Sequence, residues 1–123
     1  MRLAGLLVAC DGADHPSGGI DWVGDVWLAQ GFFDRLFGIF ATPDDRPLLL
    51  GNCSWVHGFG LRAPLFLTFL NRHGVVVNNG IALKPWATAS DARASHVLES
   101  CVHLAIPIGS RLRWEAPQTR CSA

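Results

Sequence analysis

A chain of 123 residues, half of them hydrophobic and 16% charged, can bury a core of its own, which excludes a disordered tail or a miniprotein held by staples. Its ten basic and ten acidic residues cancel to a formal net charge of zero, and the basic ones are scattered; this argues against a nucleic-acid binder, which needs a basic patch to neutralise phosphates. The cysteines, Cys10, Cys53, Cys101 and Cys121, form no CxxC pair and no framework spacing, so free thiols in a reducing cytoplasm are expected.

The first segment, "MRLAGLLVAC", has two readings. One is an ordinary first strand whose cysteine packs as a small hydrophobe. The other is a short signal-like segment, because Arg2, an apolar run and Leu7-Val8-Ala9-Cys10 resemble a bacterial lipoprotein cleavage site that would lipidate Cys10. "DGADHPSGGIDWVGD" follows and reads as a loop. Residues 26–29, "VWLA", are a short strand candidate. In residues 31–40, Phe33, Leu36, Phe37 and Phe40 recur at helical spacing, with Asp34 in the first turn, which predicts a short amphipathic helix. "ATPDDRP" (41–47) ends it.

A β-rich stretch begins at "LLL" (48–50). Residues 53–61 alternate, with Cys53, Trp55, His57, Phe59 and Leu61 on one face and Ser54, Val56, Gly58 and Gly60 on the other. After Pro64, "LFLTFL" (65–70) is apolar on both faces, as in a strand covered twice. "NRHG" (71–74) and "VVV" (75–77) complete a hairpin, and "NNG" (78–80) reads as a second turn. "IALKPW" (81–86) and "HVLES" (96–100) are strands, the latter with Val97 and Glu99 on one face. "ATASDARAS" between them is loop-like, and "GSRLRW" (109–114) closes with a turn and a last strand. The expected fold is α+β: a mostly antiparallel, strongly bent or partly closed, barrel-like sheet with one short amphipathic helix. The expected layout is a strand or signal-like segment with its loop over 1–25, one α+β domain over 26–114 and a polar tail over 115–123. No apolar run reaches the roughly 18–20 residues of a membrane-spanning helix.

Several of these segments, in order, resemble the small bacterial and archaeal family known as domain of unknown function 192. "RLFGIF" (35–40) resembles its helix. "CSWVHGFGLR" (53–62) is similar to a subgroup pattern Cys-x-x-(Val/Ile)-His-Thr-Phe-Gly-Met-Arg, matching at Cys53, Val56, His57, Phe59, Gly60 and Arg62. "PLFLTFLNRHGVVV" (64–77), "LKPW" (83–86) and "HVLE" (96–99) fall where that family has a Pro-led strand, a Pro-Trp step and Val-Leu-Glu. The chain departs where Gly58 replaces Thr, Leu61 replaces Met and Phe66 replaces an Asp after the proline. If the family has a polar site, the resemblance implies that the loss of this Asp alters it.

The candidate chemistry centres on Cys53 and His57. On a strand, residues four apart are about 13 Å apart, too far to share one metal ion or to act as a local nucleophile and base. Metal binding through Cys53 and His57 stays a minor alternative, since further ligands would have to come from His73, His96, His103 or Cys101. Arg62 can bind an anion or pair with Glu99, and Trp86, after Pro85, can line a pocket or cap the core. No Gly-rich phosphate loop, GxSxG elbow or HExxH motif is present. The expectation is a binding or accessory domain with no catalytic residues and no cofactor. Its cleft is formed by Cys53, His57, Phe59, Arg62, Trp86 and Glu99, and its partner is a small molecule or a protein. A small enzyme or metal protein using Cys53 and His57, and an envelope lipoprotein in place of a cytoplasmic protein, are the alternatives.

Overall fold

The computed structural model describes residues 2–9, 20–29 and 46–115. They form nine strands: β1 (Arg2–Ala9), β2 (Ile20–Leu28), β3 (Leu48–Gly51), β4 (Trp55–His57), β5 (Leu65–Leu70), β6 (Val76–Leu83), β7 (Thr88–Ser90), β8 (His96–Ser100) and β9 (Arg111–Glu115). Seven of them make one sheet in the order β6-β5-β8-β3-β2-β1-β9, and β4 and β7 make a separate two-stranded ribbon. Every pair is antiparallel except β2 with β3.

This corrects the expected α+β class. No helix occurs among the described residues, and the helix predicted over 31–40 lies outside them. The sheet is also open rather than barrel-like. Its edges are β6 and β9, and one isolated bridge joins Val75, just before β6, to Arg111 of β9. Two further differences have local causes. Residues 20–25, read as loop from their Gly and Asp content, belong to β2, because β1 pairs along that whole strand. Asn78-Asn79-Gly80 is a bulge inside β6 and not a turn: Leu67 faces Ile81 while Thr68 faces Asn79, and the skipped Gly80 has φ +77°. A residue tolerant of positive φ serves a bulge as well as a turn. The segment 1–25, set apart from the domain in the sequence reading, supplies β1 between β2 and β9.

The sheet is covered on both faces, so its central strands are nearly continuous apolar runs. One face packs Val26, Leu49, Leu70, Val76, Leu98 and Leu112 beneath Ile106. The other packs Leu48, Leu50, Leu65, Leu67, Phe69, Leu83 and Val97 beneath Val56 and Leu61. Thus Val56 roots the β4–β7 ribbon on the second face. Alternation along β4 then turns Trp55 and His57 to solvent.

Candidate functional site

Two tight turns set side by side build the site. In the first, the Leu61 N–H donates to the Gly58 carbonyl at 3.2 Å, with Phe59 and Gly60 between them and Gly60 at φ +80°. In the second, the Ala87 N–H donates to the Lys84 carbonyl at 3.1 Å, with Pro85 and Trp86 at the corners. Proline favours the first corner of such a turn, and a positive φ is needed at the second corner. Glycine normally fills that second corner; here Trp86 does, at φ +66°. The left-handed conformation costs a bulky residue about 1–2 kcal/mol.

Gly58 joins the turns. Its N–H donates to the Ala87 carbonyl at 2.7 Å, and its carbonyl accepts from both Trp86 N–H, at 2.7 Å, and Leu61 N–H. A Cβ at this position would lie 2.2 Å from the Lys84 carbonyl oxygen and 3.3 Å from Leu61 Cδ1. Only glycine allows the two backbones to come this close.

The result is a row of aromatic rings. Phe59 and Trp86 pack edge to face with centroids 4.5 Å apart. His57 stands 6.3 Å from Phe59, and Trp55 stands 5.7 Å from His57. Trp55 is 54% exposed, and Phe59 and Trp86 are 67% exposed. The Phe59 N–H donates to His57 Nδ1 at 3.3 Å, which leaves Nε2 as the imidazole's outward nitrogen. A cation accompanies each of the two turns. Between Asp45 and Asp91 the chain carries Arg46, Arg62, Arg72 and Lys84 and no carboxylate. Arg62 and Lys84 flank the two turns and are exposed. Asp91, beside the start of β4 through its N–H to the Ser54 carbonyl, is held by Arg93: Nη2 lies 2.8 Å from Oδ2 and Nε 3.0 Å from Oδ1. That contact draws the Asp91 carboxyl down to about 2.

Of the six residues expected to line a cleft, the structure brings His57, Phe59 and Trp86 together, with Arg62 following the Phe59 turn. Cys53 is half-buried and donates its thiol to the Trp55 carbonyl at 3.0 Å. The His57 Nδ1 accepts from the Phe59 N–H. Among the described residues no group of three His, Cys, Asp or Glu gathers where a metal ion would sit. Glu99 is 5% exposed, between Leu48 and Leu67 on neighbouring strands. It belongs to the core and not to the ring cluster, and the Arg62–Glu99 pair weighed from sequence does not form. The sequence reading passed over Trp55 and Gly58 as site residues. Trp55 had a signal, since it alternates with His57 and Phe59, whereas Gly58 owes its role to the second turn.

No protein-family model matches the chain, and no curated protein matches it. Two solved structures are similar in fold. One, from Sinorhizobium meliloti 1021 and described as a "putative transcription regulator", aligns with a TM-score of 0.70 and 17% identity over 92% of this chain and 94% of its own. The other, a protein of unknown function from Novosphingobium aromaticivorans DSM 12444, aligns with a TM-score of 0.65 and 16% identity over 91% of this chain and 85% of its own. At such identities the likeness concerns the fold. No helix of the described residues is long and apolar enough to cross a membrane.

Proposed function

We propose that this chain is a binding domain whose recognition surface is the ring row Trp55, His57, Phe59 and Trp86, and that its partner is a protein. The observation that carries the reading is Trp86. The fold holds a bulky residue in a left-handed conformation that glycine would adopt freely, and gains little burial from it. Backbone strain of this kind concentrates at ligand-binding positions. Aromatic side chains are the anchors of protein interfaces, where burying each contributes more than burying the polar residues around it. The rings stand out on a ribbon, unlike a small-molecule site, which encloses most of its ligand. The envelope alternative requires cleavage before Cys10, which would remove β1 from between β2 and β9. The intact mass of the protein recovered from cells tests it.

The experiment is selection of a displayed random peptide library on the full chain, repeated on a Trp55→Ala/Trp86→Ala variant. Peptides that bind the parent chain and not the variant support the reading. Enrichment that is equal on both, or absent on both, contradicts it.

A further inference from the structure

The backbone of β4 offers hydrogen bonds along the same surface. The Asp91 N–H donates to the Ser54 carbonyl at 3.0 Å, and the Gly58 N–H donates to the Ala87 carbonyl. Register pairs Trp55 with Ser90, Val56 with Ala89 and His57 with Thr88. In an antiparallel pair the bonded positions alternate. Ser54, Val56 and Gly58 therefore turn their backbone groups toward β7, and Trp55 and His57 turn theirs away. Among the described residues no other strand pairs with β4. The Trp55 carbonyl takes the Cys53 thiol, a weak donor. The Trp55 N–H and both backbone groups of His57 face outward.

Exposed edges are usually blunted by charge, proline or a bulge, because they template pairing with another chain. The edge Trp55-Val56-His57 carries no charged side chain, no proline and no register shift. Strand addition uses such an edge, with main-chain bonds giving affinity and alternate side chains giving selectivity. The flanking cations, Arg62 and Lys84, have no carboxylate near them in sequence, and Asp91 is already occupied by Arg93.

We infer that the partner presents an extended acidic segment, which adds to the outer edge of β4 as a further strand. Its backbone bonds to Trp55 and His57. Alternate side chains lie over Trp55, His57, Phe59 and Trp86, and its carboxylates meet Arg62 and Lys84. This rests on the ring row being the recognition surface.

The test takes a peptide selected on the full chain and lost on the Trp55→Ala/Trp86→Ala variant, and measures its affinity and the chain's amide hydrogen exchange. Selected sequences are expected to be acidic. The peptide should slow exchange at the Trp55 and His57 amides, and N-methylation at its alternate amides should weaken binding about threefold to tenfold per lost bond. The Arg62→Ala/Lys84→Ala variant should bind about tenfold more weakly, as expected for two exposed charge pairs. A tryptophan-dependent peptide that keeps its affinity when N-methylated, or leaves the two amides unprotected, overturns strand addition and leaves the recognition surface standing. Selection of neutral or basic sequences overturns the acidic class. Absence of any tryptophan-dependent peptide overturns both readings. Protection of Trp55 and His57 that rises with protein concentration alone assigns the edge to a second copy of the chain. Displacement of the peptide by an oligothymidylate assigns the surface to single-stranded nucleic acid. Either result overturns the inference.

Discussion

Phe59 and Trp86 meet edge to face, 4.5 Å apart, because both turns that carry them bond to the same Gly58 carbonyl. The contact joins residues far apart in sequence through one carbonyl oxygen and one missing side chain. The site's geometry depends on that junction.

Gly58→Ala is therefore expected to destabilise the protein by about 1–3 kcal/mol, the usual cost of forcing a group into filled space. The obstructing atom is a backbone oxygen, which cannot swing aside. Gly51→Ala is the control, since its Cβ would sit 3.6 Å from His96 Nδ1, an ordinary contact. Urea unfolding of the two variants should separate them clearly. Equal midpoints would contradict the close approach at Gly58.

Trp86 separates backbone strain from ring contact. Trp86→Gly and Trp86→Ala both remove the ring, but only glycine relaxes the positive φ. The glycine variant should be the more stable by about 1 kcal/mol in thermal or urea unfolding. An alanine variant of equal or greater stability would show that the turn relaxes without strain.

Asp91 supports the approach to β4 through the turn it shares with Arg93. Its side chain is 9% exposed, and its Oδ1 also accepts from the Arg93 N–H at 2.9 Å. Asp91→Ala should cost on the order of 1 kcal/mol at neutral pH. The carboxyl is held at about 2, below its ordinary value of 3.8. The contribution is thus present above 3.8 and is lost as pH falls through about 2. Stability curves of the parent and the variant should converge over that window, and a gap that persists at the acid end would count against the ion pair.

His96 shows the opposite linkage. Its Nδ1 is buried and has no hydrogen-bond partner among the described residues, and its ring lies 5.1 Å from Trp114. Burial lowers its pKa below the ordinary 6.5, so the folded chain favours the neutral ring. The unfolded chain takes up the proton first as pH falls. Stability should therefore decline as pH drops below about 6.5, and the decline should stop once pH passes the lowered folded value. In His96→Gln this part of the slope should be absent, as measured by denaturant midpoints from pH 7 downward.

What the sequence revealed depended on burial. β3 and β5 were legible because strands covered on both faces are continuous apolar runs. β7 was not: Thr88-Ala89-Ser90 is short and polar, and it is a strand only because β4 lies beside it. In 53–61 the alternation was visible, but a period of two does not say which set faces the core. Val56 takes the core, so Trp55 and His57 stand in solvent. The structure sets three of the candidate site residues, His57, Phe59 and Trp86, side by side on an exposed row and not around a cleft. Cys53 and Glu99 turned to the ribbon's backbone and to the core. The junction at Gly58 was hidden, since it arises where two distant turns meet.

The most direct test of the recognition surface is the tryptophan indole NMR spectrum of the full chain, titrated with a peptide selected on it. The indole signals of Trp55 and Trp86 should shift and saturate together, while those of the partly buried Trp27 and Trp114 stay in place. Shifts confined to Trp27 and Trp114, or binding that leaves Trp55 and Trp86 unchanged, would contradict the account.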